Sequence, residues 1–255
     1  MHSEPSYNLF LVALSFLVSV FGSFVALTLI RAVRSSDSAG KLPWIIAAAF
    51  ALGGGAIWTM HFIGMLAYDM GIPVSYNGPL TLASLAIAVV VVGLGIWVVG
   101  TADKSTARLI VAGVLTGLGV ASMHYTGMAA MNGMSKMSYE PFWFSLSIVI
   151  ALVAATAALW LAFNLDGQWQ LIGASVVMGI AVCGMHYTGM YGMIMSHDPD
   201  TLAQLEGIKP MQMGLMIFCF SMLLLVLSLI AALSQLNRKM YEALEAEDDE
   251  VVPSP

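Results

Sequence analysis

Charge is what this sequence has least of. Only 9% of its 255 residues are Asp, Glu, Lys or Arg, against about a quarter in a soluble domain, while 59% are hydrophobic and mean hydropathy is +0.87. With so few basic residues there is no patch to meet a nucleic-acid backbone. No paired carboxylates, phosphate-cradling loop or nucleophile with its base is present either, so the chain does not read as an enzyme. Cysteine is nearly absent. Cys183 and Cys219 both lie in apolar runs, and no C-x-x-C pattern of a zinc site occurs. Met1 to Phe10 contains no Lys or Arg, hence no basic leader of the kind that opens a signal peptide, and the first apolar stretch reads as a retained helix. Six acids (Glu242, Glu245, Glu247, Asp248, Asp249 and Glu250) crowd the C-terminus, so the net charge of −6 describes that tail rather than the body.

What fills the space is seven apolar runs, each long enough to cross a hydrocarbon core of about 30 Å as a helix. The spans predicted are 8–30, 43–67, 80–100, 109–131, 142–163, 170–194 and 211–236. The runs are continuous rather than alternating, which argues against a β-barrel. Arg31, Arg34, Lys41, Lys104, Arg108, Arg238 and Lys239 fall on one side, and only Lys136 and Lys209 on the other. The positive-inside rule then puts the N-terminus outside, in the periplasm, and the acidic tail in the cytoplasm. Tyr7, Trp44, Tyr68, Trp143 and Trp169 near the span ends suit interfacial anchoring.

Nearly the same six residues occur three times: Met60-His61-Phe62-Ile63-Gly64-Met65, Met123-His124-Tyr125-Thr126-Gly127-Met128 and Met185-His186-Tyr187-Thr188-Gly189-Met190. The even spacing leaves room for two spans per repeat. The motifs fall on spans two, four and six, which run from inside to outside, so the three histidines share one depth below the outer surface; His2 and His197 lie on that side too. The predicted fold is therefore all-α: three parallel two-helix repeats in a pseudo-threefold arrangement plus a seventh helix, forming one domain over 1–236. The acidic tail over 237–255 reads as disordered, with Leu233, Leu236, Met240 and Leu244 offering a helical extension as the alternative. Gly53-Gly54-Gly55, Gly113, Gly117, Gly173, Gly179 and Gly184 read as close-packing positions.

On a helix, the residue four after each histidine shares its face. His61 with Met65, His124 with Met128 and His186 with Met190 each pair an imidazole with a thioether, and Met131 and Met193 extend the stripe in two copies. The preceding methionines, Met60, Met123 and Met185, lie about 100° away and rank lower on geometry. Imidazole with thioether and no thiolate is the ligand set of copper, as Cu(I) or Cu(II). Haem, which takes one or two axial ligands, fits three equivalent sets less well. A hydrogen-bond partner for the ring nitrogen that does not meet the metal is sought at Thr126 and Thr188, or at Asp69 and Asn132, eight residues after their histidines. Cys183, three residues before His186, matches Trp58 and Ala121 in the other copies and reads as core.

On these motifs the chain resembles the MHYT domain, a bacterial integral-membrane sensor module, over residues 8 to 236. Two copies match in full and the first reads Met-His-Phe-Ile. The resemblance implies a location in the bacterial inner membrane and copper held near the outer face by Met60 and His61, Met123 and His124, and Met185 and His186. It thus promotes the methionines that helical geometry ranks lower, and both rankings stand. It further implies sensing of a diatomic gas (oxygen, nitric oxide or carbon monoxide) and a separate cytoplasmic signalling partner such as a cyclic-di-GMP enzyme. The alternative is copper binding and delivery on the outer side without sensing. Transport is disfavoured because the inner halves of the motif spans supply only Met178 as a further ligand.

Overall fold

A computed structural model describes residues 6–36, 40–71, 73–101, 105–132, 136–165, 167–196 and 206–251. His2 and His197 lie outside the described residues. Among the described residues, seven helices are long and apolar enough to cross a membrane: α1 Leu9–Ser35, α2 Lys41–Ala67, α3 Gly78–Gly100, α4 Thr106–Ala129, α5 Pro141–Asn164, α6 Gln168–Tyr191 and α7, whose span is Pro210–Ser234. The predicted number and order hold. α1 runs past residue 30 to Ser35, since nothing breaks the helix before Ser36, and Arg34 in its last turn suits the carbonyl end. At the other extreme, α6 stops at Tyr191 rather than 194. There Gly192 turns the chain, and Met193–Ser196 is extended.

The six repeat helices close into a ring in chain order, α1 packing on α2 and so on round to α6 on α1. α7 lies outside, against α1 and α2. Its cover shows in burial: 83% of the most apolar stretch of α2 is enclosed, against no more than 44% in any other span. Glycines set the close approaches. A Cβ on Gly22 would meet the backbone of Ala56, on Gly53 that of Ala88, and on Gly117 those of Ala151 and Leu152. Gly54 and Gly55 seat Phe220 and Leu224 of α7. Gly173 and Gly184, read from sequence as packing positions, have no neighbour within 4 Å of a built Cβ. They face outward and serve no contact. Around Gly53–Gly55, α2 widens into π-helical turns over Phe50–Trp58, with the Thr59 N–H and hydroxyl both donating to Gly54 O.

Beyond the motif ends the described residues make three two-stranded antiparallel pairs: β1 Ser6–Tyr7 with β2 Tyr68–Asp69, β3 Ser75–Tyr76 with β4 Met131–Asn132, and β5 Lys136–Tyr139 with β6 Met193–Ser196. The apolar runs do not predict these short strands, which end the helical stripe that would include Met131 and Met193. Each pair joins the residues before an incoming helix to those after its motif helix. The N-caps Asn8, Asn77 and Glu140 donate their N–H to Ala67 O, Ala130 O and Gly192 O at 2.8, 2.7 and 2.8 Å. Those three carbonyls stand six residues after His61, His124 and His186, so the repeat is kept at the level of single hydrogen bonds.

Where a disordered tail is expected from residue 237, α7 continues as helix to Val251. Glu, Ala, Leu and Met dominate Met240 to Glu250, and these are strong helix formers.

Candidate metal centre

His61, His124 and His186 lie six, five and five residues before the ends of α2, α4 and α6, about 7.5–9 Å of helical rise from one end of the bundle. All three are buried. Their Nδ1 atoms form a triangle with edges of 3.0 Å (His61–His186), 3.1 Å (His61–His124) and 3.3 Å (His124–His186). The rings stand edge to face, with interplanar angles of 77–88°.

A ring nitrogen carries either a proton or a lone pair, never both. Three such atoms in mutual contact cannot alternate, so at least one edge of the triangle sets proton against proton or lone pair against lone pair. The three Nε2 atoms are buried and have no hydrogen-bond partner. By itself, then, the cluster is an unsatisfied polar group in an apolar interior, which is costly. A cation facing three lone pairs resolves all three edges at once. Three nitrogens about 2.0–2.1 Å from a common point at tetrahedral angles are about 3.3–3.4 Å apart, close to the edges observed. The residues present therefore fit a metal ion, and the described His, Cys, Asp and Glu side chains form no other ligand cluster.

What orients the rings is steric. A Cβ built on Gly64 would strike His186, one on Gly127 would strike His61, and one on Gly189 would strike His124, each at Nε2. Every imidazole thus lies in a slot made by the motif glycine of the neighbouring motif helix, in cyclic order. The expected hydrogen-bonding partners do not fill that role. Asp69 is exposed in β2 and its Oδ1 accepts from Gly71 N at 2.8 Å, while the Asn132 amide donates to Glu206 O at 3.0 Å. With every Nε2 unpartnered, Thr126 and Thr188 do not bond the rings either. Met60, Met65, Met123, Met128, Met185 and Met190 are all buried, each next to a motif histidine in sequence or four residues after it. Cys183 is only partly buried.

Sequence reasoning missed a second threefold pattern on the incoming helices: Tyr7-Asn8 with Ser15, Tyr76-Asn77 with Ser84, and Tyr139-Glu140 with Ser147. Each serine is buried and donates to the carbonyl three residues back, at 2.7–2.8 Å. Its oxygen then accepts from a motif helix. The Tyr187 hydroxyl donates to Ser15 (2.9 Å), the Tyr125 hydroxyl to Ser147 (2.6 Å) and the Trp58 indole to Ser84 (3.0 Å). Phe62 has no hydroxyl to give, and Trp58, at the position of Ala121 and Cys183, replaces it. The strand tyrosines meet the motif aromatics edge-on: Tyr7 with Tyr187, Tyr76 with Phe62 and Tyr139 with Tyr125. Burial raises the phenols of Tyr76 and Tyr139, Tyr125 adding to the latter, and raises Tyr7 to about 12 with Tyr68 and Tyr187 adding to it. Tyr125→Phe should lower stability by about 1 kcal/mol, a melting shift of about 2–4 °C in detergent. Ser147→Ala combined with it should add less than its own separate cost; full additivity would mean the two groups do not interact.

An apolar cavity of about 50 Å³ lies inside the bundle, lined by residues of α1, α2 and α3 to α6 that include Ile57, Val92, Val120, Met178 and Met185. Six alanines of α5 and α6 keep it open. Its one polar group, Thr116 Oγ1, has no partner.

The family described as "bacterial signalling protein N terminal repeat", MHYT, matches three times, over residues 54–112, 117–175 and 179–243. Its unit starts at the motif helix, whereas the strand pairs group the helices as α1/α2, α3/α4 and α5/α6; in a closed ring both framings describe one symmetry. Curated relatives include, in Pseudomonas aeruginosa, a bifunctional diguanylate cyclase/cyclic di-GMP phosphodiesterase, MucR (46% identical over 72% of this chain and 28% of the relative), and a cyclic di-GMP phosphodiesterase, NbdA (36%, over 79% and 26%). A third is the signalling protein YkoW of Bacillus subtilis (33%, over 88% and 29%). The matched region spans less than a third of each relative. No solved structure matches. Three family repeats, covering most of the sequence and centred on the histidine triangle and its glycine slots, establish that this chain belongs to the MHYT family of bacterial signalling proteins.

Proposed function

We propose that the chain is the membrane sensor module of a signalling system, holding copper at His61, His124 and His186 with motif methionines completing the site, and responding to a diatomic gas or to redox state. The observation that carries this reading is the Nδ1 triangle, which no assignment of protons satisfies. Buried methionines next to and one helical turn after the histidines in sequence favour a soft late first-row ion over zinc or magnesium. Copper bound there would supply a one-electron centre able to take a small ligand. The protein's part is to fix the rings in glycine slots and to keep water away. The central cavity suits an apolar diatomic, since cavities of this chemistry stay dry and admit apolar guests.

In this reading the module lies in the bacterial inner membrane, N-terminus periplasmic, with the basic helix ends in the cytoplasm. A ligand-dependent shift of α2 reaches α7 where Gly54, Gly55 and Trp58 pack on Phe220 and Leu224, and passes to a cyclic-di-GMP enzyme as partner. The cyclase and phosphodiesterase named among the relatives support that choice.

The test is elemental analysis of protein purified without added metal, followed by absorption and paramagnetic resonance spectra before and after exposure to oxygen, nitric oxide and carbon monoxide. Near-stoichiometric copper and a spectral change with one gas are expected. Copper uptake into proteoliposomes with no gas response would move the function to metal handling.

A further inference from the structure

At the end of the bundle away from the histidines, five helix ends enclose a cavity of about 400 Å³ lined by Arg34, Lys41, Arg108, Ser105 and Thr106 over a floor that includes Phe163. Two of the basic groups are tied to backbone: Arg34 Nη1 donates to Leu165 O at 3.1 Å and Lys41 Nζ to Gly100 O at 3.0 Å. These carbonyl partners help to hold both side chains at the cavity. Among the described residues, the cavity lining holds three basic side chains and no acidic one. α4 also starts here, its N-cap Ser105 accepting from Arg108 N, so the helix presents its positive end to the cavity.

A second, open cavity of about 540 Å³ adjoins the first, sharing Leu109 and Trp160 with it. It is a groove between α4 and α5 on the outer face, lined by Val114, Leu152, Val153, Thr156 and Ala157, and the Thr156 hydroxyl is turned inward onto Leu152 O at 2.8 Å. A free phosphate would occupy a small part of the first cavity and have no use for the second. A molecule with an anionic head and a hydrocarbon chain fills both.

We propose that this composite cavity is a binding site for an anionic phospholipid, its phosphate among Arg34, Lys41 and Arg108 and one acyl chain in the α4–α5 groove. Basic pockets between membrane helices next to a lipid-facing groove are suited to such headgroups. The site is independent of the histidine centre.

Native mass spectrometry of the full chain in detergent tests it, with phosphatidylglycerol, phosphatidylcholine and inorganic phosphate as probes. Phosphatidylglycerol should bind about tenfold more tightly than phosphatidylcholine, and Arg34→Gln with Arg108→Gln should remove that preference. Ala157→Trp keeps every charge and blocks the groove, so it should weaken both lipids while leaving metal content unchanged. Arg238→Gln with Lys239→Gln should leave the preference intact. Equal binding of the two lipids by the parent protein would overturn the assignment. So would displacement of lipid by phosphate alone, unaltered lipid binding in Ala157→Trp, or loss of preference in the Arg238/Lys239 pair equal to that in the Arg34/Arg108 pair.

Discussion

Replacing His61, His124 and His186 together with leucine should bring bound copper to background while the protein still inserts as seven helices. The same variant, stripped of metal, should melt no lower than the stripped parent. This second expectation separates a metal site from a structural polar knot. The three imidazoles sit among apolar groups with at least one repulsive Nδ1 contact and three unpartnered Nε2 atoms. Leucines of similar volume remove those unmet polar groups, and exchanging buried polar clusters for packed apolar side chains is often neutral or stabilising. The parent should gain thermal stability when copper is restored, by roughly 2.7 kcal/mol at a hundredfold excess over Kd, and the variant should gain nothing. A steep loss of stability in the stripped variant would show the rings holding the helices together by hydrogen bonds. Retention of copper would place the metal elsewhere.

Much of this was legible because the sequence says it three times. Seven apolar runs fixed the number of spans, and the histidine spacing fixed which helices face one another. What did not transfer was detail that helical periodicity does not encode. Periodicity carried past the helix ends places Met131, Met193, Asp69 and Asn132 on the histidine face, whereas the chain turns into short strands there and the helical register no longer applies. A run of apolar residues measures hydrophobic length, not where a backbone changes its hydrogen-bonding partner. The Tyr-cap-Ser pattern of the incoming helices was available as a signal, since Ser15, Ser84 and Ser147 each stand seven residues after Asn8, Asn77 and Glu140. It is faint in any single copy, because serine and tyrosine are unremarkable near a membrane interface. The motif's own letters gained distinct meanings from the coordinates: histidine faces the axis, the aromatic faces the seam to the next incoming helix, and glycine receives a neighbour's ring. Phe62 in the first copy departs from the motif without loss, since Trp58 reaches Ser84 instead.

The motif glycines invert an ordinary rule, and this gives the sharpest test of the centre. Within a helix, glycine to alanine favours folding by about 1 kcal/mol on propensity. Gly184→Ala should show that sign, since Gly184 is exposed on α6 and a Cβ there meets nothing within 4 Å. Gly189→Ala, on the same helix five residues on, should do the opposite. Its Cβ would fall on the His124 ring, which cannot retreat because its Nδ1 already stands 3.1 and 3.3 Å from the other two. Inserting one carbon into so tight a site costs about 1–3 kcal/mol, enough to cancel or outweigh the propensity gain. Displacing one ring also spreads the triangle, so copper should be lost along with stability. Gly64→Ala and Gly127→Ala should behave alike through His186 and His61, because the slots are related by the threefold repeat. Melting curves with and without chelator, together with metal content, read both effects. If Gly189→Ala proves as stable and as metal-loaded as Gly184→Ala, the imidazoles are not held by these slots, and the centre must owe its geometry to something other than the neighbouring helix.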